Sequence, residues 1–310
     1  MQKYRSYVFP TAIVLGALLH EQCAYFMPLV PYAIFTILLL NFCAVRLRTL
    51  RPQPIHIPIL LIQAFLPLVL YITLRLLTHN EDVAQSAMIS VLCPVASSVV
   101  VVAVILGANR ETCTMYTVLG NLLTIISAPL YFSYIGTNQS MLLGASLFNV
   151  FAKITPVIGI PLLIAILLQI ALPRVNNFLA RGKNLTFYIW ALTLLIVLGN
   201  TFHKLITQWD GNWRTLAAVL LTSLLACLAQ FLIGKLIGRR YNDSMAAGQL
   251  LGQKNTGIGI WMATFYLSPL AAVALAFYSV WQNVFNSLQM WLLDHRSNNE
   301  NNTSITTNNA

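Results

Sequence analysis

The sequence predicts an all-α membrane protein whose ten transmembrane helices form two inverted five-helix repeats. The first observation behind this fold class is composition: of the 310 residues, 58% are hydrophobic and only 8% are charged, and the mean hydropathy is +0.73. Soluble domains carry about 25% charged residues. The second observation is the spacing of the apolar runs, and the third is the distribution of Lys and Arg between them.

The apolar runs have the length that a bilayer requires. A spanning helix needs roughly 20 apolar residues, with about 17 to 25 tolerated. Runs bounded by charged residues, Pro or Asn predict ten spans, approximately at 6–20, 24–45, 56–77, 82–107, 111–135, 148–171, 184–206, 214–238, 243–267 and 269–293. The first run lacks a small-residue cleavage site, so we interpret it as a span and not as a signal peptide. The polar, low-complexity segment 297–310 is predicted to be a disordered tail.

The positive charges are distributed unequally between the two sides of the membrane. Thirteen of the 18 Lys and Arg residues fall on the side of the N-terminus, and three fall on the other side, namely Arg75, Lys204 and Arg214. Because cytoplasmic loops carry an excess of Lys and Arg, both termini are expected in the cytoplasm and the protein in the inner membrane. The net charge of +10 is scattered singly between apolar runs, which indicates topology and excludes a nucleic-acid-binding face.

An odd number of spans in each half inverts the second half relative to the first. The predicted halves are 1–139 and 140–296, and this arrangement is typical of inverted-repeat secondary transporters. The fourth span of each half contains residues that disfavour a helix, CPVASS at 93–98 and GQKNTG at 252–257. Interrupted helices in corresponding positions predict a binding site near the middle of the membrane.

The second interruption contains a lysine near the middle of the bilayer. Lys254 lies about eleven residues into its span, where an ammonium costs roughly 2.5–3.5 kcal/mol. That cost favours a functional role, with the head of Lys254 in a protein cavity; the alternative is a structural lysine bound to carbonyls of span 4. Asn255 and Thr256 would supply donors and acceptors for freed backbone groups or a ligand. Four glycines are expected to let the chain unwind and approach another backbone closely, namely Gly248, Gly252, Gly257 and Gly259.

The first interruption provides the complementary half of the predicted site. Pro94 removes one N–H and frees an upstream carbonyl, and the hydroxyls of Ser97 and Ser98 can replace the lost bonds. Freed carbonyls and hydroxyls are groups that a small cation or a polar substrate would contact. No acidic residue lies near the centre of a span. Lys153 lies near the outer end of span 6, within reach of the headgroups, so it is less informative than Lys254.

Three short motifs carry a family resemblance: Cys93-Pro94, Gly107-Ala108-Asn109 at the end of span 4, and Gln253 to Gly257 in span 9. At these motifs the chain resembles the bile acid:sodium symporter family, within the wider bile/arsenite/riboflavin transporter superfamily, over about residues 6–293. The resemblance implies a panel domain of spans 1, 2, 6 and 7 and a core domain of spans 3–5 and 8–10. It also implies that spans 4 and 9 cross within the core, and that organic anions move with sodium.

The sequence departs from the family pattern at the sodium-binding positions. The resemblance implies sodium ligands at three positions that are apolar here, Val99, Val100 and Leu250, and a glutamine at the position of Lys254. Asn255 is retained and Thr117 matches a family threonine, so these two remain weak sodium candidates. The three apolar residues leave one implied sodium site without ligands, and in the other the ammonium of Lys254 disfavours a sodium ion within a few ångströms. We therefore expect Lys254 to supply the positive charge that sodium supplies in relatives.

The predicted function is secondary transport of a small organic anion across the inner membrane. Proton release by Lys254 would couple transport to pH, whereas a lysine that stays protonated would give an uncoupled facilitator. One alternative is a sodium-coupled symporter of organic anions or bile acids, as in the family. An alternative of another class is a membrane receptor on a transporter fold. The candidate binding residues are Pro94, Ser97, Ser98, Thr117, Gln253, Lys254, Asn255 and Thr256.

Other functions find little support in the sequence. A channel would need a sustained polar stripe, which no span shows. The five histidines lie at span ends or in loops, and neither a metal-ligand cluster nor a nucleophile–base motif indicates an enzyme. The five cysteines form no CxxC motif and are interpreted as packing residues. No cofactor is predicted apart from the doubtful sodium ion.

Overall fold

The part of the chain that the structure describes is built from helices. The structure is a computed structural model that describes residues 11–45, 50–96, 98–135, 143–208 and 211–308. Residues 11–18 are helical, and a 3₁₀ helix spans Met27–Leu29. The α-helices from His20 onward are numbered in chain order, and the 3₁₀ helix lies between the first two. They are α1 (His20–Phe26), α2 (Val30–Cys43), α3 (His56–Thr78), α4 (Glu81–Leu92), α5 (Val99–Ile105), α6 (Arg110–Ile135), α7 (Leu143–Ala171), α8 (Pro173–Ala180), α9 (Lys183–Gln208), α10 (Trp213–Arg239), α11 (Ser244–Gly252), α12 (Thr256–Tyr266) and α13 (Pro269–Asn308).

Six continuous helical stretches of the described chain are long and apolar enough to cross a membrane. They are His20–Cys43, His56–Thr78, Arg110–Ile135, Gly144–Ala171, Leu185–Gln208 and Trp213–Arg239. The protein is therefore an integral membrane protein, as its composition predicts.

The ten predicted spans and the six observed stretches differ for identifiable reasons. Spans 82–107 and 243–267 are interrupted, which leaves helices of 12 and 7 residues in the first and of 9 and 11 residues in the second. Span 6–20 begins outside the described residues, and 269–293 lies within α13. The ten-span count stays a prediction.

The helices contact one another in two groups. In the first group α1 and α2 pack against α9, and α7 packs against α2 and α8. In the second, α3 packs against α4, and α10 packs against α4, α11 and α13. Contacts of α6 with α7, and of α9 with α12 and α13, connect the two groups. The interrupted helices α4/α5 and α11/α12 both belong to the second group.

The last helix extends beyond the apolar part of the chain. Its bounds, Pro269–Asn308, include most of 297–310, which the sequence predicts to be disordered. Asn, Ser and Thr dominate that segment and are weak helix formers. Disorder of the tail therefore stays a prediction.

Candidate functional site

Two helices are interrupted where the sequence places residues that disfavour a helix. In the first, α4 ends at Leu92 and α5 begins at Val99; in the second, α11 ends at Gly252 and α12 begins at Thr256. Pro94 accounts for the first break, because it has no N–H to continue the helical hydrogen bonds. Three of the four half-helices begin with a side chain that accepts a backbone N–H, namely Asn80 for α4, Asp243 for α11 and Asn255 for α12.

The extended segments between the half-helices pair with each other. The amide of Ala96 donates to the carbonyl of Gln253 at 3.1 Å, and the amide of Asn255 donates to the carbonyl of Pro94 at 2.7 Å. The thiol of Cys93 donates to the carbonyl of Asn255 at 3.0 Å. Because lipid offers no hydrogen bonds, backbone groups released from a helix must find partners inside the protein. Each interruption therefore supplies partners for the other.

Lys254 lies within this pairing and extends its ammonium to the first interrupted helix. Its side chain is only 1% exposed, and its Nζ donates to the carbonyl of Val91 at 2.9 Å. In a continuous helix the amide of Val95 would donate to that carbonyl. The ammonium replaces this missing bond at the C-terminal end of α4, where the helix dipole favours a positive charge. The head of Lys254 is thus bound to a carbonyl of span 4, as in the structural alternative.

Side chains from two neighbouring helices satisfy further carbonyls at the interruptions. Pro94 leaves the carbonyl of Ser90 without its helical partner, and Nε2 of Gln230 on α10 donates to it at 3.2 Å. The hydroxyl of Tyr278 on α13 donates to the carbonyl of Gly252 at 2.8 Å, at the end of α11. Gln230 also donates to the hydroxyl of Tyr278 at 2.9 Å. A single hydrogen-bonded network therefore connects α4, α10, α11 and α13.

Gln282 on α13 holds the backbone of Lys254 from the other side. Its Oε1 accepts from the amide of Lys254 at 2.8 Å, and its Nε2 donates to the carbonyl of Lys254 at 3.2 Å. The sequence predictions did not include Gln282, Gln230 or Tyr278. The signal that could have found them is the presence of polar side chains within spans, since such residues tend to face the interior of a helical bundle.

The interruption at Lys254 does not depend on the backbone freedom of glycine. Gln253 and Asn255 have φ values of −90° and −78°, which any residue can adopt. None of the four nearby glycines is among the described residues with positive φ. The expectation that these glycines let the chain unwind is therefore wrong. The helix ends because Asn255 caps α12 and the segment before it pairs with the first interruption.

Close packing against side chains requires three of these glycines, Gly248, Gly252 and Gly259, and the added Cβ of Gly248 would lie 2.7 Å from Cγ of Lys235. A Cβ atom on Gly252 would lie 2.5 Å from the ring of Phe231 on α10, and one on Gly259 would lie 2.6 Å from Sγ of Cys93. Gly257 differs, because the nearest atom to its added Cβ would lie at 3.7 Å. Gly252 and Gly259 thus allow α10 and the first interruption to approach the second one.

The positions of the implied sodium ligands are apolar in structure as well as in sequence. Val99 and Leu250 are fully buried in one hydrophobic cluster, and Val100 packs against that cluster. No group of three or more His, Cys, Asp or Glu residues in the described chain could hold a metal ion. All five cysteines are free and buried. Side-chain oxygens are therefore absent from the three positions where the resemblance implies them.

Four of the predicted site residues meet at the paired interruptions. Pro94, Gln253, Lys254 and Asn255 come together there through their backbones. The side-chain oxygen of Asn255, a sodium candidate, accepts from the amide of Ile258 at 3.4 Å and so caps α12.

The other predicted site residues have different surroundings. Thr256 is the buried first residue of α12, and Ser98 precedes α5 with an exposed side chain that caps nothing. The hydroxyl of Thr117, the second sodium candidate, donates to the carbonyl of Cys113 in its own helix at 2.9 Å. Ser97 lies outside the described residues.

Two comparisons with known proteins bear on this arrangement. A model of the Sodium Bile acid symporter family matches residues 29–208, more than half of the chain. The uncharacterized sodium-dependent transporter YocS of Bacillus subtilis (strain 168) is 25% identical over 250 residues, which cover 77% of this chain and 73% of that protein. The family match includes the first interruption, whereas the second lies beyond residue 208.

Proposed function

Because this chain belongs to the Sodium Bile acid symporter family, we propose that it is a secondary transporter that moves a small organic anion across the inner membrane without requiring sodium. The membership agrees with the resemblance found in the motifs around Pro94 and Lys254.

The observation that carries the proposal is the hydrogen bond from Lys254 to Val91. A half-helix that ends inside a membrane leaves carbonyls with partial negative charge, and a cation is a natural partner for them. Here the cation is the ammonium of Lys254, 2.9 Å from the Val91 carbonyl and covalently part of the chain. A tethered cation needs no ion from solution, so the interrupted helices stay joined whether or not sodium is present.

The apolar cluster beside the interruptions supports the same proposal. Val99 and Leu250 occupy positions at which the resemblance implies oxygen ligands, and both are fully buried among other apolar side chains. Sodium requires several oxygen ligands in place of its hydration shell, and apolar side chains supply none. In the other implied site, the ammonium of Lys254 disfavours a sodium ion nearby.

The proposed architecture places the substrate site beside the interruptions. Ten spans in two inverted repeats, 1–139 and 140–296, would place the interruptions of spans 4 and 9 near the middle of the membrane. The N-terminal end of α12, an 11-residue helix, carries the positive end of a helix dipole that favours an anion. Lys254 then acts on the substrate through the geometry of the interruptions, because its ammonium is already bound to Val91.

The second candidate function is sodium-coupled symport of an organic anion. The family description and the printed name of the Bacillus subtilis relative both favour it. Under this candidate Lys254 would be only a structural link, and sodium would bind elsewhere in the protein.

The experiment that tests the proposal is uptake by purified full-length protein in proteoliposomes. Radiolabelled carboxylates, from small monocarboxylates to a bile acid, are supplied with a sodium, potassium or proton gradient imposed separately. We expect saturable uptake of at least one carboxylate without sodium. Faster uptake in the presence of the proton gradient would indicate proton coupling. Uptake that does not change with the proton gradient would indicate an uncoupled facilitator. If no carboxylate enters faster than into protein-free liposomes, the proposed substrate class is wrong.

A further inference from the structure

Two histidines from distant parts of the chain meet at the end of a pair of helices. Nδ1 of His20, the first residue of α1, lies 3.3 Å from Nδ1 of His203 in α9. The two rings stack with their centroids 5.6 Å apart and both remain partly exposed. The sequence places both histidines at the ends of predicted spans but gives no sign that they meet.

The close approach of the two helices explains why the rings are held together. A Cβ atom on Gly16 would lie 3.0 Å from the amide nitrogen of Gly199, so this glycine pair lets the backbones come near each other. His203 follows Gly199 by one turn of α9, and His20 follows Gly16 by four residues across the turn at Leu19 that separates helix 11–18 from α1. The glycine contact therefore lies four residues before each histidine and brings the two segments that carry the rings close together. The register depends on backbone packing and not on the rings themselves.

From this geometry we propose that His20 and His203 bind a divalent transition-metal ion such as zinc. Two nitrogens bound to one tetrahedral zinc ion at about 2.0–2.1 Å lie about 3.3–3.4 Å apart. The observed separation of 3.3 Å matches this value. Neutral imidazole is also the commonest metal ligand among the side chains. Without metal, the Nδ1–H of one ring can donate to Nδ1 of the other, and binding of the ion through both Nδ1 atoms requires the donor ring to carry its proton on Nε2 instead.

Water would complete the coordination shell. In the described part of the chain no third His, Cys, Asp or Glu joins the pair. Glu21 is adjacent to His20 and so projects from a different face of α1. Lys204 follows His203, and its ammonium donates to the carbonyl of Thr264 on α12. The ion would be held by two protein ligands on separate helices, with its other coordination positions open to water. It would therefore link α1 to α9.

Calorimetry and thermal unfolding of the purified full-length protein in detergent test this site, independently of transport. Zinc chloride titrated into metal-free protein is expected to bind with one ion per chain and to raise the melting temperature, because it binds the folded state. His20→Ala and His203→Ala should each abolish both effects while melting like the unmodified protein without metal. His79→Asn is the matched control, since His79 is exposed with a positive φ of 51° that Asn tolerates. This variant should bind zinc normally.

Two results would overturn the inference. One is the absence of any zinc-dependent heat or melting shift in the unmodified protein, which would leave the pair as a simple N–H···N hydrogen bond. The other is unchanged zinc binding in both histidine variants, which would locate the metal elsewhere.

Discussion

The ammonium of Lys254 donates a hydrogen bond to the carbonyl of Val91, 2.9 Å away, and so joins the second interrupted helix to the end of the first. The two residues are 163 positions apart in the chain. Lys254 is also fixed through its backbone, which Gln282 binds at both the amide and the carbonyl. One residue thus connects α4 and α13 at the point where α11 gives way to α12.

The tight contact at Gly252 predicts a specific loss of stability. Gly252→Ala would place a Cβ atom 2.5 Å from the ring of Phe231, and the ring or the backbone must move. Overpacking of this kind costs roughly 1–3 kcal/mol, so the melting temperature in detergent should fall. Gly257→Ala is the matched control, because the nearest atom to its Cβ would lie at 3.7 Å. Equal melting temperatures for the two variants would contradict the packing described here.

The hydrogen bonds of Gln282 predict a second loss of stability, when this residue is replaced. Gln282→Leu leaves the amide and the carbonyl of Lys254 buried without these partners, at a cost of about 1–3 kcal/mol for each group. We expect a lower melting temperature and slower uptake. Asn283→Leu serves as the control, since Asn283 donates to Ser279 in its own helix. Equal melting temperatures and equal uptake rates for the two leucine variants would contradict the role of Gln282 in holding the backbone of Lys254.

The positions of the interruptions could be predicted from the sequence, but not all of their hydrogen-bonding partners. Pro94 signals a break because of its missing N–H, and Asn255 signals a new helix because it is a capping residue. The partner of Lys254 could not be foreseen in detail, because a backbone carbonyl such as that of Val91 has no signature in sequence. The role of the glycines was misjudged for a related reason: a glycine that permits close packing and one that permits a positive φ look identical in sequence.

The distribution of Lys and Arg predicts which side of the membrane each loop faces. Arg240 follows α10 and is exposed, and Trp213 at the other end of the same helix is 71% exposed. The five native cysteines are buried, so single cysteines added at these positions give a clean signal. Arg240→Cys should react with a membrane-impermeant maleimide only from the cytoplasmic side, and Trp213→Cys only from outside. The reverse pattern would refute the predicted orientation.

We predict that removal of the Lys254 ammonium lowers uptake and that added sodium does not restore it. Lys254→Gln takes the ammonium from the Val91 carbonyl, and Val99 and Leu250 offer no oxygen to a replacement ion. Uptake should fall, lose any dependence on pH that comes from this lysine, and stay low when sodium is added. Lys153→Gln is the control, because Lys153 is an exposed lysine in α7 and its loss should leave uptake unchanged. Full recovery of Lys254→Gln in sodium would show that an ion site is still intact.

The most direct measurement of the central claim is an ion substitution with the unmodified protein. Initial uptake of a transported carboxylate is compared in sodium and in potassium buffers of equal ionic strength, together with the entry of radioactive sodium. If Lys254 acts as the built-in cation, the two rates are equal and sodium does not accumulate with the substrate. Uptake that stops without sodium, with sodium entering alongside the carboxylate, would contradict the claim and establish sodium-coupled symport.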